Sequence, residues 1–235
     1  MAQIVRSGDA VKVTIVSHTI DPLRTIALAQ LNMTGNMRHS RDAVERSEAL
    51  DIFMDIAKTE LQGAFEFVHF VIQMEGVSRA FQQQLTRTRL AAYSAESLRF
   101  TEVGMQVLMG PHLANSGDTE AMNQYVRTVD TIEAGYEYLI DAGVPIEDAR
   151  GILPLNVLSK IGMCVSYKTL VGMSRVRMCY QSQEGEWDVV FKQIVQGIAN
   201  VEPILVSPLG PFCEHGQKCP FGSKLDRDCP RKGGK

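Results

Sequence analysis

The sequence predicts an α+β protein. Two segments carry strand character. Val11-Lys12-Val13-Thr14-Ile15-Val16 alternates apolar and polar residues, and Phe65-Glu66-Phe67-Val68-His69-Phe70-Val71-Ile72 is aromatic and β-branched. Longer apolar stripes recur at helical spacing, at Tyr125, Val129, Ile132, Tyr136 and Leu139 and again at Trp187, Val190, Phe191, Ile194, Ile198 and Val201.

Taken in order, the strand over Val11–Val16 stops at His18-Thr19-Ile20-Asp21-Pro22. A helix over Leu23–Leu31 follows, with Asp21 as N-cap and Pro22 at its first position. A second helix is expected over Ala43–Lys58. The strand over Phe65–Ile72 leads to a helix over Ser78–Leu90, capped by Ser78 and placing Phe81, Leu85 and Thr88 on one side. Three glutamines and three arginines make that helix polar for a core element. A loop-rich stretch over Gly104–Asp118 precedes the long amphipathic helix, which Gly143 and Pro145 end. Pro145 starts a short helix that closes at Arg150-Gly151-Ile152-Leu153-Pro154. The next helix runs over Val165–Arg177, and the stripe from Trp187 to Val201 makes the last. Five of the nine prolines fall in the final 33 residues, so 203–235 reads as an irregular tail.

The 235 residues, 45% hydrophobic and 22% charged, describe an ordinary globular chain with enough length for a real core. No apolar run approaches the ~18 residues of a membrane span. Met1 to Arg6 is followed by Ser7-Gly8-Asp9 rather than an apolar leader stretch, so a cytoplasmic protein is expected. A net charge of −3 argues against binding a nucleic-acid polymer, whose phosphates need cations to neutralise them. The charge is unevenly placed: residues 213–235 carry +3 and the remainder −6. Three of the five cysteines crowd the same end, and an odd count does not suggest a disulfide framework.

The densest polar signal is Ser78-Arg79-Ala80-Phe81-Gln82-Gln83-Gln84-Leu85-Thr86-Arg87-Thr88-Arg89, continued by Ser97-Leu98-Arg99. On a helix, Gln84, Arg87 and Thr88 would face one way, setting an amide beside a guanidinium fork. Ser97 and Arg99 would add a hydroxyl and a second guanidinium. Such a set suits a phosphorylated ligand. The competing reading is a solvated helix face with surface ion pairs, and spacing alone does not decide between them.

This run resembles the flavin-dependent thymidylate synthases, which carry Arg-His-Arg, about seven residues, then Ser-any-Arg, after a Ser-Arg-Ala helix start. Further segments resemble the family in the right order: Val16-Ser17-His18 to Thr25, Ala149-Arg150-Gly151-Ile152-Leu153-Pro154, and Ser166-Tyr167-Lys168-Thr169-Leu170 running to Arg175-Val176-Arg177. The resemblance spans roughly residues 11 to 205, and the domain it implies covers 1–205, followed by a basic Cys/His tail over 206–235. It implies a central, mostly antiparallel sheet with flanking helices, and a homotetramer with active sites shared between subunits. It also implies transfer of a one-carbon unit from methylenetetrahydrofolate to C5 of dUMP, with FAD supplying hydride and NADPH reducing the flavin.

Carried over by position, Gln84, Arg87, Ser97, Arg99, Arg150 and Arg177 would hold the nucleotide, and Arg177 would be catalytic, stabilising negative charge in the pyrimidine ring. Arg87, Thr88, Arg89, Ser166 and Lys168 would meet the flavin. The departures cluster on the flavin side. Thr88 replaces the central His, Ser166 and Lys168 replace Asn and Arg, and Gly172 stands where His or Asn is usual. Ala95 takes the place of a Glu, with Glu96 adjacent. Leu61-Gln62 stands for the usual Glu-His pair ahead of the second strand. A pyrimidine-nucleotide pocket therefore matches better than the flavin site. Two alternatives stay open: a nucleotide C5 hydroxymethylase with altered or no flavin use, and a non-catalytic nucleotide-binding or assembly subunit.

In the tail, Cys213, His215, Cys219 and Cys229 offer three thiolates and an imidazole, the donor set of a structural zinc site. The competing reading is a loose tail of reduced cysteines. His18 and His69 read as packing residues on strands, Cys164 and Cys179 as core or near-core thiols, and Trp187 as a packing residue.

Overall fold

The structure, a computed structural model, describes residues 3–98, 105–179, 185–219 and 229. The chain divides into two compact units. One comprises residues 1–12, 74–87 and 93–162, and the other 13–73, 88–92 and 163–235. Among the described residues no helix is long and apolar enough to cross a membrane.

Strands β2 (Lys12–His18), β3 (His69–Ser78), β6 (Leu158–Ser166) and β4 (Ala91–Ala95) form a four-stranded sheet in the order β2-β3-β6-β4. A separate parallel pair joins β1 (Gln3–Val5) to β5 (Gln106–Leu108), with Ile4 opposite Val107. In the larger sheet β3 and β6 are antiparallel, because the Tyr167 N–H donates to the Val68 carbonyl at 2.7 Å and the Arg79 N–H to the Val157 carbonyl at 3.1 Å. The α+β class with a mostly antiparallel sheet and flanking helices is therefore the observed one.

Helix α1 (Pro22–Met33), which follows a single helical turn at Ser7–Ala10, begins where its cap chemistry dictates: the Asp21 carboxylate accepts the Arg24 N–H at 3.3 Å, and proline follows the cap. Asp21 adopts a left-handed conformation at φ 46°, a strained state for a residue with a Cβ, which the cap bond and an ion pair to Arg24 at 3.1 Å offset. Helix α2 (Arg46–Ala57) is shorter than the expected 43–58, since residues 41–43 form a 3₁₀ turn. The expected strand over 65–72 is displaced: residues 63–67 are a 3₁₀ turn and β3 starts only at His69.

Helix α3 (Arg79–Leu85) is capped by Ser78, whose hydroxyl accepts the Phe81 N–H at 3.0 Å. It ends well before Leu90. The Thr86 hydroxyl turns back onto the Gln82 carbonyl at 3.0 Å, and the chain then enters β4, an element the sequence did not suggest. The sequence does not suggest β6 either, and the helix expected over 165–177 overlaps its last two residues. That helix, α5 (Tyr167–Arg177), begins where Ser166 caps it.

In the first unit, helix α4 (Thr119–Asp141) buries Val129 and Tyr136 against Met105, Val107, Ala149 and Val157, with Tyr125, Ile132 and Leu139 packed alongside. Its apolar stripe is thus the face the sequence marked. In the second unit, Phe53, Phe65, Phe70 and Tyr167 form an aromatic cluster, with Phe65 and Tyr167 centroids 4.9 Å apart. Helix α6 (Glu186–Val201) buries Trp187, Val190, Phe191, Ile194 and Ile198. It approaches β2 so closely that a Cβ on Gly197 would lie 2.8 Å from Ile15 Cδ1, and Gln193 Oε1 accepts the Val13 N–H at 2.9 Å. The chain after α6 also packs in this unit: the Tyr167 hydroxyl donates to the Leu205 carbonyl, and Arg175 Nη1 donates to the Gly210 carbonyl at 3.0 Å.

Candidate functional site

Helix α5 leaves the end of β6 with Ser166 as N-cap, and its first and last turns carry the chemistry. The Ser166 hydroxyl donates to Glu66 Oε2 at 2.8 Å, and its oxygen accepts the Thr169 N–H at 3.2 Å, so one side chain both starts the helix and grips a carboxylate. The other oxygen of Glu66 pairs with Lys168 Nζ at 3.3 Å. The Ser166 hydrogen bond, helped by Lys168, holds the Glu66 carboxyl below the usual carboxylate range. Both partners of the ion pair are roughly half exposed, so the pair orients side chains more than it stabilises the fold.

Residues 168, 169, 172, 173, 176 and 177 fall on one face of α5. That face walls a cavity of about 450 Å³. Glu66, Thr88 and Leu90 complete the lining, with Leu90 and Thr88 supplied by the segment between α3 and β4. Met173, Val176 and Leu90 make it mainly apolar, while Lys168 and Arg177 bring positive charge. Gly172 has no heavy atom within 4 Å of where a Cβ would stand, so its lack of a side chain opens the cavity.

Arg177 closes α5, and its guanidinium carbon lies 4.0 Å from the ring centroid of Trp187. Partial burial lowers its pKa from a very high starting value, which leaves it a cation at any ordinary pH. Arg175, two residues earlier, is buried and spent on the Gly210 carbonyl.

Of the residues singled out in the sequence, Thr88, Lys168, Gly172 and Arg177 line this one cavity, and Ser166 adjoins it through Glu66. Arg89 is exposed and does not line it. Gln84, Arg87, Ser97 and Arg150 belong to the other unit, where Gln84 and Arg87 are exposed, Ser97 follows β4, and Arg150 Nε donates to the Glu147 carbonyl at 3.1 Å. Arg99 lies outside the described residues. Gln84 ends up on α3, but Arg87 and Thr88 fall beyond its last residue, so the three do not share a helix face. Arg79 and Gln82 are structural: Arg79 Nη1 donates to Gln82 Oε1 at 2.7 Å, and Gln82 Nε2 to the Lys160 carbonyl at 3.1 Å.

Three residues differ from their sequence reading. Glu66 lies in the run Phe65–Ile72 that the sequence marks as a strand, and Leu61-Gln62 stands for the family's Glu-His pair; Leu61 is 84% exposed and borders a different groove. A lone Glu in the apolar run Ala64-Phe65-Glu66-Phe67-Val68 was the signal available. Trp187 does pack, yet it also stacks on Arg177. Cys164 is exposed on β6 rather than near-core, because it sits on one of the two outward positions of that strand.

The tail does not assemble the expected zinc site. Among the described residues, which include all four proposed ligands, no group of three or more His, Cys, Asp or Glu is placed to hold a metal ion. His215 Nε2 lies 3.3 Å from the Leu209 carbonyl, which can only accept, so that nitrogen is the donor and the ring is held by the backbone just ahead of it. Burial pushes the His215 pKa down, and Cys213 and Cys219 are exposed.

Residues 14–204 match the sequence model of a family described as thymidylate synthase complementing protein, Thy1. A flavin-dependent thymidylate synthase of Thermococcus onnurineus is 30% identical over 94% of this chain and 94% of its own. One from Geobacter sulfurreducens is 28% identical over 90% and 91%. In three dimensions the chain resembles a UMP/dUMP methylase, PolB, of Streptomyces cacaoi bound with 5-Br dUMP, at a TM-score of 0.71 and 16% identity, covering 88% of this chain and 96% of that one. At that identity the likeness speaks for the fold.

Proposed function

This chain belongs to the thymidylate synthase complementing protein (Thy1) family, and we propose that it is a flavin-dependent thymidylate synthase, transferring a one-carbon unit from methylenetetrahydrofolate to C5 of dUMP to give dTMP. The observation that supports this most directly is the face of α5, where Lys168 and Arg177 meet Thr88 around one largely apolar cavity.

That cavity suits a flavin. Its volume of about 450 Å³ lies within the ~300–1,000 Å³ of small-molecule sites. Leu90, Met173 and Val176 offer flat apolar contact, and Gly172 leaves room beside them. Arg87, Thr88, Arg89, Ser166 and Lys168 are the residues assigned to hold FAD. Lys168 does so as a point charge, without the two-pronged geometry of an arginine. FAD held there would supply, in its reduced form, the hydride that completes the methyl group, with NADPH as its reductant.

The chain's own residues bind and polarise the nucleotide. Gln84, Arg87, Ser97, Arg99 and Arg150 take the dianionic phosphate and sugar, where charge-assisted hydrogen bonds are strongest. Arg177 sits beside the pyrimidine carbonyl flanking N3. A fixed cation there favours loss of the N3 proton and stabilises negative charge delocalised towards C5, making C5 the nucleophile. No enzyme thiol is needed for this activation, and Cys164 and Cys179 do not line the cavity. The working enzyme is a cytoplasmic homotetramer with sites shared between subunits, which accounts for the exposure of Gln84, Arg87 and Arg89 on a single chain.

Purified protein is incubated with dUMP, methylenetetrahydrofolate, FAD and NADPH, and the nucleotide is analysed by mass spectrometry. A product carrying one added methyl group is expected, with loss of turnover when FAD is omitted. A hydroxymethyl product formed without flavin would overturn the assignment in favour of a C5 hydroxymethylase. Tight dUMP binding with no product would reduce the protein to a nucleotide-binding subunit.

A further inference from the structure

Arg177 ends α5, and Trp187, the only tryptophan of the chain, is the second residue of α6. Trp187 is 4% exposed, and the Phe191 ring centroid lies 6.1 Å from its own at an interplanar angle of 36°, so packing restrains the indole. The Arg177 guanidinium carbon stands 4.0 Å from the indole centroid. A cation over the face of an indole is attracted by the negative face of the ring, so this contact restrains where the guanidinium stands. A leucine of similar burial would fill the space but exert no such pull on the cation.

We propose that Trp187 is a positioning residue for the reaction: its indole face holds the Arg177 guanidinium at the cavity in the orientation that meets the pyrimidine carbonyl, and its fluorescence reports nucleotide binding. This rests on the assignment of Arg177 to the nucleotide. Negative charge grows in the ring as C5 attacks, so a misaligned guanidinium loses more in the transition state than in binding.

Wild type, Trp187→Phe, Trp187→Leu and Arg177→Ala are compared for dUMP binding by equilibrium dialysis, for kcat and KM of dTMP formation, and for thermal midpoint. Trp187→Leu is expected to lower kcat by about thirty-fold, the equivalent of a desolvated cation–π contact, with a much smaller change in KM. Trp187→Phe keeps an aromatic face and recovers most of that loss. Addition of dUMP changes the wild-type tryptophan emission, and the change is absent in Arg177→Ala. A purely structural Trp187 would give Phe and Leu variants with equal losses, tracking their thermal midpoints; that result, or wild-type kcat in folded Trp187→Leu, overturns the proposal. Failure of wild type to bind or convert dUMP, with Arg177→Ala indistinguishable from it, overturns the nucleotide assignment itself and the positioning role with it.

Discussion

Replacing Gly172 with Ala separates the stability of α5 from the use of its exposed face. Gly172 lies in the interior of the helix and has an ordinary backbone conformation, so alanine is accommodated without strain. Nothing stands within 4 Å of the new Cβ. The substitution therefore removes the entropic cost of a helix-interior glycine, about 0.5–1 kcal/mol. For a chain of this size that raises the thermal midpoint by about 1–4 °C. The same methyl group projects into the cavity of about 450 Å³. If flavin lies against this face, crowding of about 1 kcal/mol weakens its binding roughly fivefold. Differential scanning calorimetry of the ligand-free protein and a flavin titration followed by absorbance give the two numbers. A lowered midpoint would refute the helix argument. A raised midpoint with unchanged flavin affinity would show that the cavity is not where the flavin ring sits.

Arg177→Ala should lower kcat by about 10²–10³-fold, the usual cost of losing a group aimed at developing charge, whereas Lys192→Ala, at a position 73% exposed and paired to Asp188, should leave turnover unchanged; equal activity in both variants would remove Arg177 from the chemistry. Because the folded pKa of Glu66 is depressed, its ionised form stabilises the fold above the unfolded value near ~4.3, and that contribution disappears as pH falls through the lower folded value. The stability difference between wild type and Glu66→Gln should thus be larger at neutral pH than in acid, and urea titrations showing no pH dependence of the difference would refute the Ser166–Glu66–Lys168 arrangement. For the tail, protein purified without chelator should carry no stoichiometric zinc and keep its thermal midpoint in EDTA; one equivalent of zinc by elemental analysis would restore the four-ligand site.

What could be read from the chain was what depends on neighbours in sequence. The Asp21-Pro22 start of α1, the Ser78 cap of α3 and the apolar stripes of α4 and α6 are set by local hydrogen bonding and by a 3.6-residue period, and they stand where the residues put them. β6 was unreadable for the opposite reason. Seven of its nine positions are buried, so it shows no alternation and merges with the helix that follows. β4, Ala-Ala-Tyr-Ser-Ala, has little strand propensity and exists because the sheet receives it.

The candidate site divides in the same way. Arg177 and Lys168 were legible because the resemblance to the flavin-dependent thymidylate synthases carries those positions over to Ser166-Tyr167-Lys168 and Arg175-Val176-Arg177. Glu66 was not, since only the pairing of Val68 with Tyr167 across β3 and the exit of β6 brings a carboxylate to Ser166 and Lys168, a hundred residues further along the chain. The sequence by itself determined the caps, the helical faces and the cationic residue types, all properties of a few adjacent residues. Only the tertiary structure decided which cation faces a cavity and which is buried against a carbonyl. Arg177 and Arg175 are two residues apart on one helix, and rotation of about 200° around its axis sends one to Trp187 and the other to Gly210.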